Sequence, residues 1–197
     1  PKGKPTRYQI VPTNGYHNPI ELTEASSGIQ TSAPLALIVD YFAKDFSFKE
    51  AFNRSVMSYL YEMEILSKFK AVSEPTALTK VVNIHIEEPE LSLFPDAQCK
   101  LIEKIFYTAL HAESDRTLNM MLATHSPYIL NYLNIVLNQN KEQRARLNNN
   151  NTAVYRIYEG ETQDLLMQDE QGHWIVDTYD LSEMMNTIYN EFVNLGI

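Results

Sequence analysis

The stretch Val81–Pro95, VVNIHIEEPELSLFP, decides how this chain is read. A run rich in β-branched residues, which favour extended backbone, ends in Glu87, Glu88 and Glu90 set around Pro89. Burying an unpaired carboxylate costs several kcal/mol. A strand that runs straight into three carboxylates therefore calls for something positive at its end. Most positions of Val81–Ile86 are apolar, which predicts a strand covered on both faces, with Asn83 and His85 as interruptions. His85 is read as a core or sheet-face histidine rather than a ligand.

Downstream, FPDAQCKLIEKIFYTALH places Ala97, Leu101, Ile102, Ile105, Phe106, Ala109 and Leu110 at helical spacing, so one face of a helix is apolar. LNMMLATH, from Leu118, predicts a second strand. SPYILNYLNIVLNQ predicts a helix, Asn148–Asn151 a loop, and TAVYRIYEG a third strand. Strand, helix, strand, helix, strand in that order argues for an α/β domain with a parallel sheet. Ligands of such sheets gather at the carboxyl ends of the strands. Glu87 and Glu88 end one strand and Thr124 and His125 the next, so both polar groups fall on one rim.

Upstream, RYQIVPTNGYHNPIEL predicts a β-hairpin turning at Asn14-Gly15. SSGIQTSAPLALIVDYF predicts a helix in which Pro34 sits in the first turns or bends the axis. Residues 47–70 read as helical, with Pro75 in the connector that follows. At the other end, TQDLLMQDEQGHWIV predicts a hairpin near Gln171-Gly172. DLSEMMNTIYNEFVNLG predicts an amphipathic helix, with Asp180 and Glu183 at capping-box spacing and Gly196 at its stop. Leu181, Met184, Met185, Ile188, Phe192 and Leu195 form its apolar stripe. Residues 1–197 read as one domain, with 153–197 as a small appendage of it.

With 197 residues, 44% of them hydrophobic, the chain is long and apolar enough to close a core. The single Cys99 argues against a disulfide framework and for a reducing compartment. No apolar run approaches the roughly 20 residues that span a bilayer, so the expectation is a soluble, cytoplasmic chain without a membrane partner. A formal charge of −9 counts against a broad surface that tracks phosphates, which lysine and arginine would have to build. Any DNA contact is then local or lies elsewhere in a parent protein.

Three pieces in order, EASSGIQ (Glu24–Gln30), IHIEEPELSLFP (Ile84–Pro95) and LATHSP (Leu122–Pro127), resemble the signature motif, the extended Walker B motif and the switch-histidine loop of ABC-type ATPases. The resemblance is greatest to the branch that holds the RecF, SMC and OLD-nuclease heads. Transport ATPases usually follow the Walker B pair with Pro-Thr and the histidine with Asp, where this chain has Pro89-Glu90 and Ser126-Pro127. The motifs span about residues 20–135; each is weak alone, and their order is what makes them specific. The resemblance implies a partial P-loop NTPase fold, a parallel sheet flanked by helices with a carboxyl-terminal β-hairpin and helix. It implies ATP and Mg²⁺ as cofactors. By position, Glu87 would hold the metal through water, Glu88 would polarise the attacking water, and His125 would meet the γ-phosphate. Ser26, Ser27, Gly28 and Gln30 would address the nucleotide of an opposite protomer, in a head-to-tail homodimer driven by ATP.

The chain also departs from that pattern. It has no GxxxxGK[ST] loop, and the PKGKP at its start is no substitute. The expectation is a carboxyl-terminal lobe whose partner is the Walker A lobe of the same parent, acting in DNA repair or phage defence, with DNA or an effector protein reached through that parent. Phe94 stands where the family commonly has histidine, and the segment after His125 is short for an OLD-type nuclease domain. The alternatives are a catalytically silent scaffold on the same fold and, further off, a transport ATPase.

Overall fold

The computed structural model describes residues 7–13, 18–65, 67, 70, 80–138 and 147–194. Strands β1 (Gln9–Ile10) and β2 (Ile20–Glu21) pair antiparallel, with Ile10 opposite Ile20. That pairing agrees with the expected hairpin, whose Asn14-Gly15 turn lies outside the described residues. A 3-10 turn over Leu22–Glu24 leads into helix α1 (Ser27–Asp40). Pro34 stands in its interior rather than in its first turn, so the Gln30 carbonyl lacks the N–H that another residue would supply. α1 widens into a π-helical turn over Tyr41–Asp45, where Phe46 N–H donates to the Tyr41 carbonyl at 2.9 Å. Helix α2 (Phe48–Glu62) starts at Ser47, whose hydroxyl accepts from Glu50 N–H at 3.2 Å, a cap worth about 1 kcal/mol. It ends well before residue 70, and Pro75 lies outside the described residues.

The centre of the chain is β3 (Val81–Glu87), α3 (Pro95–Leu110), β4 (Thr117–Ala123) and α4 (Pro127–Asn138). β3 and β4 are parallel and in register from Val81 opposite Thr117 to Glu87 opposite Ala123. Val82, Ile84 and Ile86 project into a core with Val39 of α1 and Leu101 and Ile105 of α3, flanked by Phe42, Phe48, Leu93, Leu118, Met120 and Leu122. Each such side chain contributes about 1.5–3 kcal/mol by leaving water.

The expectation that both faces of this strand are covered is corrected by its exposure pattern. Val81, Asn83, His85 and Glu87 are exposed, as are Thr117, Asn119, Met121 and Ala123 beside them. Side chains of a strand alternate between faces, and the polar residues of β3 all fall on the second one. There Asn119 Nδ2 donates to Asn83 Oδ1 at 3.0 Å.

Arg116 locks the π-helical turn onto this unit. Its guanidinium donates through Nη1 to the Phe46 and Phe42 carbonyls, at 2.9 and 3.2 Å, and through Nε to Asp115 at 2.8 Å. It also lies over the Phe48 ring, 5.5 Å from its centre.

The third predicted strand does not join the parallel sheet. β5 (Tyr155–Tyr158) instead pairs antiparallel with β6 (Glu161–Asp164). The two-residue turn between them has positive φ at Glu159 (50°) and Gly160 (84°), the geometry that matches the twist of a tight hairpin. A second hairpin, β7 (Leu166–Gln168) with β8 (Trp174–Val176), falls where expected. Asp169 closes its loop by accepting from the Gln171 and His173 N–H groups, both at 2.8 Å, and Gly172 takes φ 83°. This hairpin sits on α4. Asn134 accepts from Val176 N–H at 2.6 Å, and Asn138 donates to the Trp174 carbonyl at 2.8 Å. Leu133, Leu137, Leu165 and Val176 form a second core under those bonds.

Helix α5 (Tyr179–Asn194) begins one residue ahead of Asp180, so the expected capping box is not formed. Asp177 accepts from Tyr179 N–H at 2.9 Å, and Asp180 is drawn instead into an ion pair with Arg156 of β5. Ile188, assigned to the apolar stripe, is exposed. The side chains of Leu181, Met184, Met185 and Phe192, with Leu195 and Gly196, lie outside the described residues. The described residues thus make a mixed α/β arrangement of five α-helices and four two-stranded sheets. None of their helices is long and apolar enough to cross a membrane.

Candidate functional site

Parallel pairing brings the carboxyl ends of β3 and β4 side by side, since Glu87 stands opposite Ala123. The pairing continues past both strand ends: Glu88 N–H donates to the Ala123 carbonyl at 2.8 Å. Glu88 takes φ 46°, a left-handed conformation that costs a β-carbon-bearing residue about 1 kcal/mol or more. The chain then folds back, with Leu91 N–H donating to the Glu88 carbonyl and Leu93 N–H to the Glu90 carbonyl, each at 3.0 Å. Glu87 and Glu88 are both exposed. His125 Nε2 lies 3.9 Å from Glu88 Oε1, and the two side chains are 87% and 54% exposed, so both are open to a ligand. Among the described residues no lysine or arginine forms an ion pair with Glu87, Glu88 or Glu90, and the one basic side chain within ion-pair distance of any of the three is His125, beside Glu88.

The loop that carries His125 has a fixed backbone. Thr124 Oγ1 accepts from Ser126 N–H at 3.0 Å. Ser126 is buried; its hydroxyl donates to Gln98 Oε1 at 2.6 Å and accepts from Ile129 N–H at 3.3 Å. It thereby caps α4, with Pro127 as the first helical residue. Gln98 in turn donates to the Leu93 carbonyl at 2.9 Å, which ties the loop to the turn after β3. Glu90 Oε1 accepts from His125 N–H at 2.7 Å.

The start of α1 lies against the same turn. Gly28 is buried, and a β-carbon there would stand 2.5 Å from the Ser92 carbonyl oxygen. The Thr31 hydroxyl has its shortest acceptor at the Gly28 carbonyl, 3.0 Å away within the helix, and also approaches the Leu91 carbonyl at 3.3 Å. Ser26 is the N-cap residue, but its hydroxyl makes no cap bond. It therefore leaves the first-turn N–H groups of α1 without an acceptor from the cap. Ser26 and Ser27 are exposed and have no hydrogen bond to Glu87, Glu88 or His125 among the described residues. Gln30 turns back, with Nε2 donating to the Ala25 carbonyl at 2.7 Å and the Thr23 carbonyl at 3.2 Å. Glu87, Glu88 and His125 thus share one rim, and Gly28 adjoins the turn leading from it as a packing residue.

Sequence reasoning assigns no role to Gln98 and none to Glu90 beyond its charge. Nothing local marks Gln98, because its partners are 28 residues away at Ser126 and 5 away at Leu93. The described residues hold no cluster of three or more His, Cys, Asp or Glu suited to gripping a metal ion. Mg²⁺ needs only one or two protein carboxylates beside water and phosphate oxygens, and exposed strand-end carboxylates at Glu87 and Glu88 fit that requirement. The chain matches no protein-family model, none of the curated proteins and none of the solved structures with which it was compared.

Proposed function

We propose that this chain is the signature, Walker B and switch-histidine lobe of an ABC/RecF-type ATPase that works in DNA repair or phage defence. The observation that carries the reading is the shared rim: two carboxylates at the end of one parallel strand, and a histidine beyond the next with its Nε2 3.9 Å from Glu88. Mg-ATP, when bound, supplies the transferable phosphoryl group and the positive charge that the carboxylates lack. Glu87 would hold the metal through water. Glu88 would accept the proton of the attacking water, and His125 would donate a hydrogen bond to the terminal phosphate. The phosphate-cradling loop is absent from these 197 residues, so a Walker A lobe must supply it. The uncapped N-terminus of α1 suits an anion, in keeping with a role for Ser26, Ser27, Gly28 and Gln30 toward a nucleotide held by a second protomer.

The test uses the complete ATPase, this chain together with its Walker A lobe. Glu88→Gln should lower hydrolysis by roughly 10²–10⁴-fold, the usual loss with a general base. Nucleotide binding should persist, and the protein should accumulate as a nucleotide-bound dimer. Glu87→Gln should instead show a defect that eases as Mg²⁺ is raised. Parental hydrolysis by Glu88→Gln would refute the assignment. The second reading, a silent scaffold on this fold, draws support from Gly28, which is already used in packing against Ser92. It predicts that neither substitution changes hydrolysis.

A further inference from the structure

We propose that Glu90 is a positioning residue that sets where the His125 side chain stands relative to Glu88; the inference rests on the ATPase reading above. β3 and β4 stop at Glu87 and Ala123, yet the ladder between them gains two further rungs. The first is the bond from Glu88 N–H to the Ala123 carbonyl at 2.8 Å. The second is made by a side chain: Glu90 Oε1 accepts from His125 N–H at 2.7 Å. The residue that pins His125 thus comes from the same turn as Glu88, two positions on. Relative movement of the two backbone segments that carry Glu88 and His125 is limited by this bond.

The location of Glu90 argues that this bond is more than an incidental surface contact. Its Oε2 is buried and has no hydrogen-bond partner among the described residues. A carboxylate half stripped of water carries a desolvation cost, and the compensation visible is the short, charge-assisted bond to His125 N–H. Across the loop, Ser126 is held by Gln98 and by Thr124, so the backbone on both sides of the His125 α-carbon is fixed. The imidazole itself stands largely in solvent, its side chain 87% exposed and its nearest charged neighbour Glu88 Oε1 at 3.9 Å. A rigid backbone under a ring open to solvent is the arrangement expected of a group that waits for a ligand, because misplacement by about 1 Å can cost a reaction roughly 100-fold.

The Glu90 variants separate this role from plain packing. Glu90→Gln keeps an oxygen acceptor for His125 N–H, and Glu90→Ala removes it. In the complete ATPase, Glu90→Ala should lower kcat by roughly 10- to 100-fold while KM for ATP stays within about twofold, as expected when an interaction of the transition state is lost. Glu90→Gln should recover most of the rate. In a His125→Ala background, Glu90→Ala should cause no further loss, since the group it positions is gone. A second measurement needs no nucleotide: in the labelled 197-residue chain, the His125 amide proton should shift upfield and exchange faster in Glu90→Ala, but stay near its parental values in Glu90→Gln. An unchanged kcat in Glu90→Ala despite the altered amide overturns the positioning role and leaves the ATPase reading standing. An equal loss with and without His125 also overturns it. Parental hydrolysis by Glu88→Gln would remove the ATPase reading itself, whatever the amide shows.

Discussion

Gly28→Ala sets two opposed effects against each other at one atom. In an ordinary helix the change favours folding by up to about 1 kcal/mol, because alanine loses less backbone freedom than glycine. At Gly28 the new β-carbon would lie 2.5 Å from the Ser92 carbonyl oxygen and 2.8 Å from Leu93 Cδ2. The leucine methyl can swing away. The carbonyl cannot move alone, because the other end of its own peptide is held by Leu93 N–H donating to the Glu90 carbonyl at 3.0 Å. About 0.9 Å must be found before the pair reaches ordinary contact at 3.4 Å. Overpacking costs about 1–3 kcal/mol, and a clash with held backbone falls in the upper part of that range, about 2–3, so that less the helix gain of about 1 it leaves a net loss of about 1–2 kcal/mol. With a urea slope of about 2 kcal/mol/M, the midpoint should fall by about 0.5–1 M. The fluorescence of Trp174, the chain's one tryptophan, can follow the transition. Ser27→Ala, at an exposed neighbour, serves as the control. A midpoint equal to or above the parental one in Gly28→Ala would refute the close packing of α1 on the turn after β3.

Arg116→Ala should destabilise the chain by about 2–4 kcal/mol, since it leaves the Phe42 and Phe46 carbonyls without their donor; Arg116→Lys should recover less than half, because an ammonium lacks the planar fork. Thermal or urea unfolding measures both, and a loss under 1 kcal/mol in Arg116→Ala would sink the claim. Bonds from Arg116 and Lys80 hold the Asp115 carboxyl below its ordinary 3.8. Its folded pKa is depressed, so its contribution is present above the unfolded value and disappears as pH falls through the folded one. Asp115→Asn should therefore be less stable than the parent at neutral pH, with the gap closing below pH 3.8, and a gap that is independent of pH would contradict this. Ser126→Ala should cost about 1–3 kcal/mol, because it uncaps α4 and leaves Gln98 Oε1 without its donor; an unchanged melting temperature would rule that out.

What could be read from the sequence follows from the range of the forces involved. The apolar spacing of α3 and the strand character of β3 and β4 are local, and both were legible. Local pattern also carried the rim, since strand ends and a parallel pairing suffice to bring Glu87, Glu88 and His125 together. The exposed face of β3 escapes a local reading because Asn83 and His85 look like interruptions of an apolar run, whereas their spacing of two, continued by Glu87, puts all three on one side. The local pattern places β5 in the parallel sheet, because Glu159-Gly160 is a weaker hairpin signal than Asn-Gly and does not announce the antiparallel partner β6. The distance from Asp180 to Glu183 suggests a cap, while Arg156, 24 residues earlier, takes Asp180 instead. The Glu90, Gln98 and Ser126 bonds join positions that are 28 and 35 residues apart, and no local rule reaches that far.

The conformation of Glu88 bears on whether the three glutamates are a solvated turn or a working site. Positive φ at a residue with a β-carbon is strain, and strain concentrates where function demands it. Strain alone does not decide, because Ser92 in the same turn (φ 59°) and Glu159 in the β5–β6 hairpin (φ 50°) share it. At Glu159 the hairpin geometry accounts for the conformation, and asparagine or glycine would serve there as well. What sets Glu88 apart is how its surroundings are fixed. Its N–H is bonded to Ala123, its carbonyl to Leu91, and Glu90 two residues on holds the backbone of His125. A solvated turn has no need of such cross-links to the next strand, since water satisfies its polar groups equally well. Here the backbone bonds are satisfied within the protein, while the side chains of Glu87, Glu88 and His125 are left to solvent. A fixed frame with free functional groups can accept a ligand without first being ordered by it.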